Sequence, residues 1–389
     1  MAVSLLTILA DFANWSTVCC VGHIARSETR LTRIFWIIIF ILMLIMFIVQ
    51  LAMMIVRLLS YPSDMNTQIV FDKQPFPHVV FCNTNPFKYS VVKNSSTFSE
   101  ISELMADLEL VRAGHTLKVD TYGIGDPSLS YIKREERALD MLTLLTAKLT
   151  DDEKSLATYD YTDIVTECSY SGQNCNSSDF SLFMHPQYGA CYAFEGIFNV
   201  TRAGMMYGLR MLLTAKQTLS TTGDVDYLPT TRFAGLRMTL YEDGKFPNFD
   251  SLGINLGVGL QTVVSMSKTT TVRIAPPYGT CTNNDTNENY YSDYRYTIDT
   301  CYMSCRQRET IRVCGCANPL YRIPANTTYC ATKSDLDCLQ TLKGNQLNKT
   351  QPNLDTVLEC DCRPPCEETD FDLVLSTALY PAFGYSVGA

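Results

Sequence analysis

Sixteen cysteines are the residues of this 389-residue chain with the most chemistry to offer, and their placement decides which chemistry that is. Cys19 and Cys20 precede an apolar run at 34–56; the other fourteen, from Cys82 to Cys366, follow it. A thiol can ligate zinc, act as a nucleophile or pair into a disulfide, and the redox compartment selects among these. Cys314-Gly315-Cys316 and Cys360-Asp361-Cys362 have spacings that zinc could use. An even set on one side of a membrane-length run reads instead as an oxidised extracellular domain without metal or cofactor, and the two on the other side as reduced and cytosolic. Spacing alone leaves the pairing of the fourteen open.

Other chemistry is sparse. The four histidines, His23, His78, His115 and His185, stand in no zinc-protease motif, and no nucleophile elbow or phosphate loop accompanies them. His115 and His185 read as surface or packing residues, and the chain is not expected to be an enzyme. No basic patch with interleaved aromatics points to nucleic acid.

The element that sorts the cysteines is the run at 34–56, 23 residues without a charge. As a helix it would be about 35 Å long, enough to cross a bilayer. Arg26, Arg30 and Arg33 precede it, whereas Arg57 is the only basic residue after it until Lys73. This bias places residues 1–33 in the cytosol and residues 57–389 outside the plasma membrane. The run is too long for a signal peptide and no small-residue cleavage site follows it, so it is an anchor in contact with membrane lipid. Glycosylation sequons at Asn94, Asn176, Asn199, Asn284, Asn326 and Asn348 all follow the span; Asn14 also fits the pattern but would be cytosolic. The net charge of −9 fits an acidic ectodomain.

Beyond the span, residues 76–82 have strand character with a proline at the start. Residues 99–110 read as a helix with Ser99 as N-cap. Residues 133–154 read as one helix with Ala138, Leu142, Leu145 and Leu149 on a single face. Strand signals recur at 234–241 and 262–274, and 283–289 is a polar loop. Helices followed by strands in one cysteine-bridged unit give an α+β class.

Several blocks resemble the degenerin/epithelial sodium channel family. Residues 76–87, Phe-Pro-His-Val-Val-Phe-Cys-Asn-Thr-Asn-Pro-Phe, are similar to the segment after that family's first membrane helix. Cys168 to Cys175 and Tyr188 to Phe194 are similar to its next block. Arg202-Ala203-Gly204, Asp226-Tyr227-Leu228-Pro229, Pro276-Pro277-Tyr278-Gly279-Thr280-Cys281 and the cluster from Cys314 to Glu367 follow in the family's order. The Arg-Ala-Gly block looks most like the nematode degenerins. The resemblance implies a hand-like ectodomain of palm, finger, β-ball, knuckle and thumb, the thumb at about 281–366. It also implies an amiloride-sensitive sodium channel, a homo- or heterotrimer with related subunits that passes sodium ions and is opened by ligand or force. Carried over, it implies the bridges Cys82–Cys191, Cys168–Cys175, Cys281–Cys366, Cys301–Cys362, Cys305–Cys360, Cys314–Cys338 and Cys316–Cys330. Tyr278 matches a thumb-base aromatic that, in the acid-sensing relatives, packs on one atop the first helix; Tyr61 is the candidate partner, displaced by one residue.

Three departures modify these expectations. The family's His-Gly gating pair falls on Cys19-Cys20, where cysteine lacks glycine's backbone freedom and where juxtamembrane thiols could be acylated. The paired acidic position before Tyr227 reads Val225-Asp226 and residues 339–354 hold no acid, so acid activation is expected to be weak or absent. The sequence ends at Ala389 without a second apolar run or the Gly-x-Ser filter. The expectation is therefore a subunit truncated before its pore-lining helix, with its first palm strand left with an open edge. The alternative is a single-pass, non-conducting glycoprotein that regulates or dominantly inhibits channel trimers.

Overall fold

A computed structural model describes residues 5–18, 20–61, 64–70, 73–195, 199–200, 202–217, 225–283, 290–347 and 360–384. Cys19, Asn284 and Asn348 lie outside the described residues. The chain separates into two units, one of residues 1–68 with 276–279 and one of residues 69–275 with 280–389.

In the first unit, helices Leu5–Trp15 and Val21–Arg26 precede the helix Arg30–Leu59. Thr29 caps this last helix by accepting a hydrogen bond from the Thr32 N–H. Charge-free side chains over 34–56 give it no reason to stop, and it continues past Arg57 to Leu59. None of its residues is buried. Thirty residues at 1.5 Å each make about 45 Å, a length and composition sufficient to cross a bilayer.

The second unit mixes sheet and helix. Five antiparallel strands run in the order Ile254–Gly257, Gly235–Tyr241, His78–Asn83, Gly189–Phe194, Phe180–His185. The strand His78–Asn83 therefore lies in the middle, paired on both sides. The expectation of an open edge there is overturned. Successive side chains point to opposite faces, and both faces are covered. Val79 and Phe81 enter one apolar cluster while Val80 and Cys82 enter another. A strand buried on both faces reads as a continuous apolar run, which is what Val79-Val80-Phe81-Cys82 is. A smaller sheet joins Gln173–Asn174, Val165–Tyr170 and Leu209–Leu213.

A helical layer holds the largest apolar cluster. Helix Ser99–Arg112 contributes Ile101, Leu104, Met105 and Leu108, and helix Tyr131–Thr146 contributes Ala138, Met141, Leu142 and Leu145. Ser99 is the first helical residue rather than the cap, because a 3-10 turn at Ser96–Phe98 leads directly into the helix. The helix expected over 133–154 is two. Thr150 accepts from the Glu153 N–H while the Glu153 carboxylate accepts from the Thr150 N–H, so a capping box starts a second helix at Asp151–Ser155.

Two further structures belong to the unit. Strands Leu260–Val272 and Glu367–Leu379 pair along thirteen residues, from Leu260 opposite Leu379 to Val272 opposite Glu367. Helices Ile298–Cys314 and Lys333–Leu347 belong to the cysteine-rich segment.

Candidate functional site

The sequence directs attention to three places: the end of the membrane-length helix, the bridged segment 281–366, and the acidic position at Asp226.

At the first place the Tyr61 ring meets that of Tyr278 edge to face, centroids 5.1 Å apart and planes at 87°. Both belong to the first unit. Tyr61 follows the helix and takes a φ of +47°, a left-handed backbone that turns the chain at that point. Such aromatic pairs contribute about 0.5–1.5 kcal/mol beyond area burial. At the other end of the helix His23 stacks on Trp36 at 4.4 Å. Cys20, at the gating-motif position, is buried and has a φ of +70°. As the residue preceding Val21–Arg26, Cys20 takes the left-handed conformation that favours glycine.

At the second place five bridges join Cys281–Cys366, Cys301–Cys362, Cys305–Cys360, Cys314–Cys338 and Cys316–Cys330. Cys82–Cys191 ties two strands at directly opposed residues, and Cys168–Cys175 closes a small hairpin. Local structure sorts the thumb partners. Cys301 and Cys305 are one turn apart on the Ile298 helix, so they share a face and reach Cys362 and Cys360 together. Gly315, at φ +74°, ends that helix in the left-handed conformation. Cys314 therefore remains on the helix while Cys316 leaves it, and each finds a different partner.

The helix carrying Cys338 is also held from outside. Arg137 on the Tyr131 helix donates from Nη2 to Asp337 Oδ1 and from Nη1 to Gln340 Oε1 at 2.8 Å, and Gln340 Nε2 donates to Asp140 at 3.1 Å. The Arg137 side chain is 9% exposed and that of Asp337 53%. The guanidinium lies against Gly123, where a Cβ would come within 2.5 Å of Nη2. Lys333 Nζ lies 3.6 Å from Asp120. None of the contacts made by Lys333, Asp337 and Gln340, some 200 residues from their partners in the chain, leaves a local trace in the sequence.

At the third place Asp226 has structural work. Its carboxylate accepts from the Ser90 N–H at 2.6 Å, and its carbonyl accepts from Asn85. The Tyr227 hydroxyl donates to the Ala215 carbonyl at 2.6 Å. Elsewhere burial pushes Asp107 up, followed by repulsion from Glu103 and Asp120. Burial would raise Glu135 as well, but the Arg112 guanidinium holds it below the usual glutamate range.

Of the sequons, Asn94, Asn176, Asn199 and Asn326 are exposed. His185 packs against Tyr188 and Phe249, and burial pushes it down to about 3. Among the described residues no cluster of His, Cys, Asp and Glu stands ready to hold a metal ion.

A bridged domain following one membrane-length helix is the arrangement that comparison with known proteins explains. The family described as amiloride-sensitive sodium channel matches residues 12–386. The chain belongs to that family. It is 43% identical over 386 residues to the degenerin-like protein asic-2 of Caenorhabditis elegans, covering 98% of this chain and 70% of that protein. It is 29% identical over 255 residues to degenerin unc-8 of the same organism, covering 64% and 31%. It is 31% identical over 253 residues to the epithelial sodium channel subunit beta of Neoceratodus forsteri, covering 61% and 36%. The chain thus spans 70% of the first relative's length and about a third of the other two. The family is one of ion channels rather than enzymes.

Proposed function

We propose that this chain is a subunit of a ligand- or force-gated, amiloride-sensitive sodium channel of the plasma membrane. Family membership over residues 12–386 is the observation that carries the proposal. The helix spans the bilayer over 34–56, residues 1–33 are cytosolic, and the domain from residue 57 onward is extracellular. Support for this orientation comes from the arginines before the span, from bridges that persist only in an oxidising compartment, and from exposed sequons on the same side.

In the hand-like arrangement that the family implies, the five-stranded sheet is the palm, the Ser99 and Tyr131 helices the finger, and residues 281–366 the thumb. The subunit assembles as a homo- or heterotrimer with related subunits and passes sodium ions. The thumb, stiffened by five bridges, delivers displacement of the ectodomain through residues 276–279. Tyr278 passes it to Tyr61 and so to the membrane helix. The position before Tyr227 holds Asp226 alone, its carboxylate already accepting from the Ser90 N–H, and residues 339–354 hold no acid, which favours a ligand or force over a proton as the stimulus.

Co-expression with a full-length related subunit in oocytes tests the assignment. An amiloride-blocked sodium current that is increased, or whose block or ion selectivity changes, together with co-precipitation, supports it. A purely reduced current supports the regulatory alternative, and no effect without co-precipitation overturns both.

A further inference from the structure

The described residues form a recess of about 520 Å³ on the second unit, lined by Arg112, Tyr131, Ile132, Glu135, Pro229, Thr231 and Arg232. Three separate segments build it: the end of the Ser99 helix, the start of the Tyr131 helix, and the loop after Leu228. Its volume falls in the range of small-molecule sites, about 300–1,000 Å³. Nothing in the gating account uses these residues.

The charges at this recess do not balance. Glu135 is 4% exposed and is matched by Arg112, whose Nε and Nη2 donate to its two oxygens at 2.7 and 2.5 Å. Arg112 Nη2 also donates to the Pro229 carbonyl at 2.7 Å, which ties the loop to the helix end. Arg232 is the second cation. It makes no ion pair among the described residues, and its Nη2 reaches the neutral Ile132 carbonyl at 3.4 Å. Arg232 acts on Glu135 from a distance, so two guanidinia face one carboxylate at the mouth. Beside it the Tyr131 ring and Ile132 are 64% and 62% exposed, the Tyr131 hydroxyl is engaged with the Arg112–Glu135 pair, and Pro229 also lines the recess.

Arg232 is exposed, and a guanidinium held in no ion pair at the mouth of a recess favours a planar anion that can take two parallel N–H bonds. Adjacent aromatic and aliphatic surface favours an apolar body on that anion. We propose that this recess binds small organic carboxylates with an apolar side chain, the class that includes amino acids and the free C-termini of short peptides, with Arg232 as the carboxylate anchor and Tyr131 and Ile132 as the apolar wall. The Arg112–Glu135 pair holds the recess open and spends its own charge internally. An amide in place of the carboxylate loses the charge-assisted bonds and is discriminated against.

Titration calorimetry on the detergent-purified chain with N-acetylphenylalanine and N-acetylphenylalaninamide tests this, and binding is read independently of conduction. The acid is expected to bind at least about tenfold more tightly than the amide, about 1.4 kcal/mol. Arg232→Gln is expected to remove that preference, Arg232→Lys to keep part of it, and Ile132→Ser to weaken both probes. Equal affinity for acid and amide, no saturable acid binding up to roughly 10 mM, or an unchanged preference in Arg232→Gln overturns the proposal.

Discussion

Tyr61 and Tyr278, more than two hundred residues apart in sequence, meet edge to face with ring centroids 5.1 Å apart. One follows the membrane-length helix and the other sits in a four-residue segment, 276–279, that groups with it. The contact uses rings rather than hydroxyls. Tyr278→Phe should therefore preserve gating. Tyr278→Ala and Tyr61→Ala should each impair it, and the double variant should be no worse than either alone. A double-mutant cycle on the gating midpoint should give a coupling of about 0.5–1.5 kcal/mol; additive effects would separate the two residues.

The clasp between Arg137 and Asp337 should respond asymmetrically. The guanidinium is buried and the carboxylate half-exposed. Asp337→Ala leaves a buried cation with only Gln340 and should cost about 1–3 kcal/mol. Arg137→Met keeps an apolar stem in the slot and leaves Asp337 to water, so it should cost under about 1 kcal/mol. Thermal unfolding of the two variants decides this. Neither should create current at mildly acidic pH.

The thumb bridges should not be additive. With the Cys301 and Cys305 bridges intact, the Cys281–Cys366 bridge closes a path of only about two dozen residues, worth about 3 kcal/mol in the chain-entropy account. Removing it from a variant that already lacks those two should cost about 1 kcal/mol more, because the loop is then longer. Non-reducing thermal unfolding of the serine-paired variants measures the difference.

His185 should make the domain acid-sensitive in stability. Its Nδ1 accepts the Gln187 N–H at 3.2 Å, which suits the neutral ring. Burial pushes its pKa down from 6.5 to about 3. The unfolded chain therefore takes up the proton first, and stability present above pH 6.5 is lost as pH falls toward 3. At pH 5 full linkage would give about 2 kcal/mol, and the ring's partial exposure reduces this to about 1. His185→Phe should lose about 2 °C less than the parent between pH 7 and pH 5.

Some of this was legible in the sequence for physical reasons. A charge-free run of 23 residues and the cysteines that follow it are local facts. The apolar run Val79-Val80-Phe81-Cys82 marked a strand, but its central place depends on partners at 189–194 and 235–241 that no local pattern names. The break at Thr150 carries a local signal, Thr150 and Glu153 three residues apart, that the apolar periodicity around it masks. Pairing among fourteen cysteines came through the family resemblance and not through spacing. Arg137 with Asp337, and Arg112 with Glu135, join residues whose types are ordinary for exposed helix positions. Nothing along the chain distinguishes them until the fold brings them together.

The most direct measurement of the central claim is two-electrode voltage clamp on oocytes expressing the complete open reading frame that contains these residues, alone and with a related degenerin subunit. The account predicts an inward current carried by sodium, abolished on replacing sodium with a large organic cation, blocked by amiloride, and impaired by Tyr278→Ala but not by Tyr278→Phe. Surface expression without any amiloride-sensitive current in either setting would contradict it.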